Sequence, residues 1–485
     1  MIPRRRELLI LLAFLSLSVW GSPVVQAQSD LANQKMDGYH GIWFTLGQFS
    51  EYGDKYSGGL GTYTANHRPI AVYSEKVNRT FFVYGGTKPG QKHLLIMASF
   101  YDHSSGEVPR PTVVHDKRGV DDPHDNGSIC LDQEGYVWVI VSGRGQRRPG
   151  FKYRSRRPFS TDVFDLVSTE ELTYPQPWWV EGRGFVHLFT KYTAGRELYW
   201  ETSRDGKTWS EDSKLAGMGG HYQVSWQSKG RVMTAFNYHP GGNVDKRTNL
   251  YYLESADGGS SWTTAAGQPV STPVTDVQSP ALIRDFQSEG LLVYPHDLNV
   301  DLDGNPLILF LTSRDYRPGP VGDPRIWTLA HWTKQGWKFS EVTRSTHNYD
   351  TGAIYVEPDG TWLVVGPTEA GPQRYGTGGE VAIWVSRDQG ATWAKERDVT
   401  KGSKYNHSYV RRPTNAHPDF YAFWADGNPD TFSPSRLYFC NRKGDKVFVL
   451  PEKMSGEREA PKRYSGHSEE SATPKLVPTP LGAER

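Results

Sequence analysis

The chain has 485 residues, with 55 Lys and Arg against 54 Asp and Glu and a net charge of +1. That balance excludes the clustered basic stripe with which a nucleic-acid binder displaces counterions. Two cysteines are too few for a thiolate metal cage. Fifty glycines, 32 prolines and 13% aromatics, spread along the chain, point to strands and turns rather than helices.

The N-terminus reads as an address. Arg4, Arg5 and Arg6 precede the apolar run Leu8 to Val19, and Val25-Gln26-Ala27 offers small residues for cleavage. This pattern predicts a secretory signal over 1–27 and a mature protein starting near Gln28, secreted or periplasmic. The apolar run is too short for a comfortable span, and no other segment could cross a bilayer, so no membrane insertion is expected after cleavage.

From 28 to 451 one pattern returns seven times: a short strand, a turn rich in Asp and Gly, then a strongly apolar strand. The pairs are Arg68 to Tyr73 with Phe81 to Tyr84, Asp125 to Cys130 with Tyr136 to Val141, and Tyr174 to Trp179 with Phe185 to Phe189. Next come Tyr222 to Trp226 with Val232 to Phe236, then Asp297 to Val300 with Leu307 to Leu311. Asp350 to Tyr355 with Trp362 to Val365, and Ser408 to Val410 with Phe420 to Trp424, complete the set. A spacing of roughly 50 to 75 residues suits four-stranded units stacked in a ring. The predicted fold is all-β, a seven-bladed β-propeller. Ser203 to Trp209, Ser255 to Trp262 and Ser386 to Trp393 repeat a Ser-x-Asp turn ending on Trp. In it Asp caps a hairpin, Gly takes positive φ and Trp plugs between strands.

Aligning the copies places one residue type just before the first strand. The position holds His67, His124, Thr173, His221, His296, Tyr349 and His407, with His347 close to the sixth. If the inner strands line a central channel, these side chains converge at one mouth, where imidazole can take and give a proton. A structural reading, in which each histidine bonds a neighbouring blade, stands beside it. His124, in the turn-rich Asp121 to Gly127, is the first candidate. Arg144 returns to the same mouth, and Lys191, Tyr192, Arg196, Tyr238 and His239 occupy the matching exit loops of the next two blades. The basic run from Arg147-Arg148 to Arg156-Arg157 reads as a solvated loop, with an anion-contacting loop as the alternative. Cys130 and Cys440 could bridge or stay free. From 452 to 485 the composition, rich in Pro, Ser, Glu and Lys, predicts a disordered tail.

With these residues in place the chain resembles the BNR-repeat carbohydrate-active propellers, closest to rhamnose–glucuronate lyases and α-L-rhamnosidases and more distantly to ulvan lyases. The resemblance runs from Gly38-Tyr39-His40-Gly41 to Trp424-Ala425-Asp426-Gly427. It is carried by Tyr56 to Tyr63, Tyr101 to His103, Val108 to Pro111, Asp122 to Asn126 and Asn415 to Asp419. It implies cleavage of a glycosidic bond beside a uronic acid in a polysaccharide or oligosaccharide, by β-elimination. His124 would be base and acid, helped by Tyr192 or Tyr238. Arg144 stands where those lyases usually carry a second histidine; it would neutralise the carboxylate, since Arg cannot act as a base. Arg196, Lys191, His221, His296, His347 and His407 would bind substrate. The rhamnosidase branch would instead use a single histidine, for which His67 is the candidate. A non-catalytic glycan binder and a sialidase-type hydrolase are the competing readings. The resemblance allows a structural calcium in the central channel, but no EF-hand-like spacing appears and the histidine ring could hold a transition metal instead. The metal, if any, stays open.

Overall fold

The computed structural model describes residues 31–466. The expected signal over 1–27 lies outside the described residues. The described chain is all-β, with only 3-10 turns besides its strands. None of its helices is long and apolar enough to cross a membrane.

Seven antiparallel sheets follow one another along the chain, six of four strands and the last of five. Their leading strands are Ala71–Ser74, Gly127–Leu131, Thr173–Val180, Gln223–Ser228, Leu292–Val300, Ala353–Val356 and Asn406–Arg411. Each reads as a buried run, as a strand covered on both faces should. Side chains such as Phe81, Phe82, Trp178, Leu188, Phe310 and Trp424 fill the space between sheets.

Hydrogen bonds join each sheet to the next. Ile129 N–H donates to Pro69 O at 2.9 Å, Ser128 Oγ to Pro175 O at 2.6 Å, and Trp178 Nε1 to Ser225 Oγ at 2.8 Å. Asn237 Nδ2 donates to Val293 O at 2.9 Å, Asn299 Nδ2 to Ile354 O at 3.0 Å, and Val410 N–H to Thr351 O at 3.0 Å. Thr414 N–H, beyond the last leading strand, donates to Ala71 O in the first sheet at 2.8 Å. Buried ions tie opposite sheets as well. Asp297 takes Arg68 Nη1 at 2.6 Å and Arg412 Nε at 3.2 Å, and Arg412 lies 3.6 Å from the Trp226 ring centre.

The repeated Ser-x-Asp turns join third strands to fourth strands. Asp257 Oδ1 and Asp388 Oδ1 accept the Ser261 and Thr392 amides at 2.9 Å, while Ser255 and Ser386 hydroxyls accept Gly259 and Gly390 amides. Ser203 and Asp205 do the same in the shortened copy.

One expectation changes in part. The chain past 452 does not lose its pairing: Arg458–Glu459 pairs with Val108–Pro109, and Lys462–Arg463 pairs with Val447–Val449. These segments satisfy edges that would otherwise stay open, which composition alone does not reveal. Residues 467–485 lie outside the described part. Cys130 and Cys440 are both buried and unpaired, in the second and seventh sheets.

Candidate active site

A single 3-10 turn, Pro123–Asp125, leads into the second sheet and places His124. Asp122 caps that turn, accepting the His124 amide at 3.0 Å. The same oxygen contacts His124 Nδ1 at 2.5 Å, and the other accepts from Arg144 and Arg148, each at 2.7 Å. Burial pushes the Asp122 carboxyl up, but His124 and the two guanidinium groups outweigh it and hold it well below the usual carboxylate range. An ionised carboxylate only accepts, so Nδ1 carries the proton and Nε2 keeps a lone pair. Burial lowers the His124 pKa by more than Asp122 restores. The ring is therefore neutral near pH 7, with Asp122 placed to hold an imidazolium should one form.

Tyrosines wall the cleft into which His124 opens. Tyr56, Tyr63, Tyr174, Tyr222, Tyr294, Tyr349 and Tyr409 line it, with Arg247, His296 and Asn348. The His124 ring meets Tyr63 and Tyr56 edge-on at 5.5 and 5.9 Å, and Tyr174 at 6.0 Å. Bulges in three leading strands aim some of these side chains. Register shifts fall at Thr173/Gln176, Pro295/Asp297 and Ser408/Arg411, bracketing Tyr174, His296 and Tyr409. An extra residue in one strand turns a side chain out of the ladder. Tyr174 and Tyr409 hold left-handed backbone at φ 54° and 55°, which costs a non-glycine residue about 1–3 kcal/mol and clusters at working sites.

Three guanidinium groups act on Tyr222. Burial raises its pKa, but Arg196, Arg247 and Arg144 outweigh that and leave the phenol below its ordinary value. Arg247 is itself buried, donates to Tyr349 OH at 2.8 Å and lies over the Tyr294 and Tyr222 rings at 4.6 and 4.9 Å. Burial works against its charge, yet the Tyr349, Tyr294 and Tyr222 oxygens raise its pKa and keep it cationic. The cleft thus combines a neutral imidazole base, a proton-labile phenol and fixed positive charge, which suits a substrate with a carboxylate beside an acidic C–H.

The structure gathers only some of the residues the sequence pointed to. His124, Arg144, Tyr192 and Arg196 share one neighbourhood: Arg196 lies 5.5 Å from the Tyr192 ring centre and its charge acts on Tyr174 and Tyr222. His296 lines the cleft with both ring nitrogens lacking partners. His67 is fully buried beneath His124. Its nitrogens meet Thr64 Oγ1 at 3.2 Å and His124 O at 3.1 Å, and burial lowers its pKa to about 3. It does not line the cleft into which His124 opens.

Five others also stand outside the cleft. His221 Nδ1 bonds Asn237 O at 2.8 Å, and its Nε2 accepts the Met218 amide at 3.3 Å. His407 accepts from Trp424 Nε1 and bonds Ser403 Oγ, both at 2.9 Å. His347 is buried against Thr377 and the Tyr349 amide. Tyr238 packs on the core of its own sheet and Lys191 is held by Asp212 at 2.7 Å, so neither lines the cleft. Sequence reasoning passed over Asp122, Arg148, Arg247 and the tyrosines. A signal was there: Tyr174, Tyr222, Tyr349 and Tyr409 stand one or two places after the aligned histidine positions or on them. The donors at the hub do not fit a calcium ion, since both Asp297 oxygens are taken by Arg68, Arg412 and the Ile354 amide.

A family model described as a BNR repeat-containing family member matches residues 97–345. The chain belongs to the BNR repeat-containing family. This BNR-repeat chain is 19% identical over 412 residues to an ulvan lyase of Alteromonas sp. (strain LOR), covering 75% of itself and 81% of that enzyme. It is 18% identical over 252 residues to an ulvan lyase of Pseudoalteromonas sp. (strain PLSV), covering 44% and 51%. Among solved structures, a PL25 polysaccharide lyase, an ulvan lyase bound to -[GlcA(1-4)Rha3S]-, superposes with a TM-score of 0.66 at 14% identity. That match covers 84% of this BNR-repeat chain and 96% of the other. The polysaccharide lyase Uly1 gives a TM-score of 0.58 at 11% identity over 84% and 99%. At these identities the likeness is one of fold.

Proposed function

We propose that this protein is an exported polysaccharide lyase that cleaves beside a uronic acid, on a rhamnose–glucuronate chain of the ulvan type, within a seven-bladed propeller. The observation that carries the reading is His124, held by Asp122 with Arg144 on the same carboxylate, opening into a cleft lined by Arg247 and Tyr222. The two ulvan lyase relatives support it, as does the solved lyase with its glucuronate–rhamnose ligand. The chain of hydrogen bonds from sheet to sheet and back to the first supports the ring. The N-terminal charge and apolar pattern supports export.

The elimination would run through these residues. The uronate carboxylate lies against Arg144 and Arg247, which stabilise the charge that builds on it as C5 loses its proton. His124 Nε2 takes that proton, and the resulting imidazolium is held by Asp122. The C5–H electron pair becomes the C4–C5 double bond, the C4–O4 bond breaks, and the Tyr222 hydroxyl protonates the leaving oxygen. The products are an unsaturated uronate and a free hydroxyl on the departing sugar. The tyrosine walls offer faces for the sugar rings and exclude water.

Incubation with ulvan tests this. Ultraviolet absorbance from the unsaturated uronate should rise in step with chain shortening, and His124→Ala should abolish it while leaving the far-ultraviolet dichroism spectrum intact. Chain shortening without the absorbance, or full activity in that variant, would remove the proposal.

A further inference from the structure

At the other end of the leading strands from the cleft, three side chains meet where the last sheet returns to the first. His103 follows the strand Leu95–Asp102 of the first sheet; His417 and Asp419 lie between Asn406–Arg411 and Ala422–Gly427 of the last. Each offers a ligand atom, and these atoms lie within 4.8 Å of one another. The two imidazole rings are 3.7 Å apart between centres. Tyr73 packs on both, at 5.4 Å from His103 and 4.9 Å from His417.

The nitrogens are arranged as ligands are. Thr80 Oγ1 holds His103 Nε2 at 2.8 Å, while Nδ1 is buried with no partner. A buried nitrogen without a partner costs about 1–3 kcal/mol, so something should satisfy it. The Asp419 amide donates to His417 Nδ1 at 3.1 Å and fixes that ring. Tying His103 Nε2 to orient Nδ1 is the usual support of a metal-binding histidine; His417 Nδ1, which accepts the amide, carries that ring's lone pair and would exchange the amide for the ion.

The place matters as much as the donors. Six of the seven junctions between sheets are crossed by the continuous chain. The seventh is held without a covalent link, by contacts such as Thr414 N–H to Ala71 O and Tyr73 N–H to Thr414 O at 2.9 Å. A second acidic group, Glu170, Glu201 and Asp212, is no rival site, because Lys152 already sits on Glu170 and Glu201 at 2.7 and 2.6 Å.

We propose that His103, His417 and Asp419 bind a divalent transition ion of the zinc class and that this ion clamps the seam between the first and last sheets. Two imidazoles and one carboxylate suit such an ion rather than calcium, which prefers oxygen. Ligands about 2 Å from a common ion need only small side-chain rotations from the present arrangement. Solvent fills the remaining positions.

Isothermal titration of the tag-free, chelator-stripped full chain with zinc chloride tests the site. One saturable site is expected, weakened at least ten-fold in His417→Ala and in Asp419→Asn. Asp419 is exposed, so its variant should fold as the parent does. Zinc should raise the melting temperature of the parent and leave that of both variants unmoved. Absence of saturable zinc binding in the parent, or parent-like binding in both variants, overturns the proposal.

Discussion

Replacing Asp122 with Asn should slow catalysis by about 30- to 1,000-fold while leaving substrate binding nearly intact. The reasoning starts from four hydrogen bonds: the carboxylate accepts from the His124 ring, the His124 amide, Arg144 and Arg148. Asn is isosteric, but its single oxygen can keep either the His124 contacts or the guanidinium contacts, not both. What it lacks is charge. When His124 takes the C5 proton, an imidazolium forms beside Asp122; two unit charges about 4 Å apart at an effective dielectric near 20 attract by about 4 kcal/mol. Partial exposure of Asp122 and the two competing arginines reduce that to about 2–4 kcal/mol. At 1.36 kcal/mol per decade this spans the stated range in kcat. Asn can also donate to Nδ1, which would move the proton to Nε2 and leave no base facing the cleft. Initial rates of ultraviolet absorbance on ulvan, measured across substrate concentration, separate kcat from KM. The expected result is a fall in kcat with KM within about three-fold of the parent. A variant with kcat within three-fold of the parent refutes the role given to the carboxylate.

Further outcomes follow from the same structure. Tyr222→Phe should lower kcat by about 100-fold or more, the size of a lost acid in such a step, with the fold unchanged by circular dichroism. Asp297→Ala leaves Arg68 and Arg412 buried without their counter-ion and should cost about 3–5 kcal/mol in denaturant titrations. Acid should unfold the protein early. His67, His187, His296 and His347 have pKa values lowered to about 3 by burial, against 6.5 when exposed. The unfolded chain therefore binds more protons between these values, so stability is full above pH 6.5 and falls as pH drops toward 3. Each such group contributes up to about 1.4 kcal/mol per pH unit in that window. Melting temperatures recorded from pH 8 to 4 should be flat and then fall steeply below about 6.5.

The strand pattern was legible because burial on both faces demands apolar runs, and turns demand Asp and Gly; both leave marks in single residues. The Ser-x-Asp turns were legible for the same reason. The site was legible in part. The aligned histidines share a repeat position, and that position is buried at the start of a leading strand. Burial there means that backbone groups compete for the ring nitrogens, as Asn237 O does for His221 and Trp424 does for His407. His124 escapes because Asp122 holds one nitrogen and turns the other toward the cleft. Nothing in residue spacing shows which histidine will have a carboxylate beside it. The tyrosines were hidden by strand bulges at Tyr174 and Tyr409, which turn into the cleft side chains that strict alternation would hide. Arg148 looked like one more cation in a solvated run, and only the return of its loop onto Asp122 gives it a partner.

The most direct measurement is a proton nuclear magnetic resonance spectrum of the ulvan digest, followed over time beside that of His124→Ala. Each bond cut by the parent should yield one vinyl proton at C4 of a new terminal uronate, and the variant should yield none. Oligosaccharides released without a vinyl proton would mean that water, rather than elimination, breaks the bond.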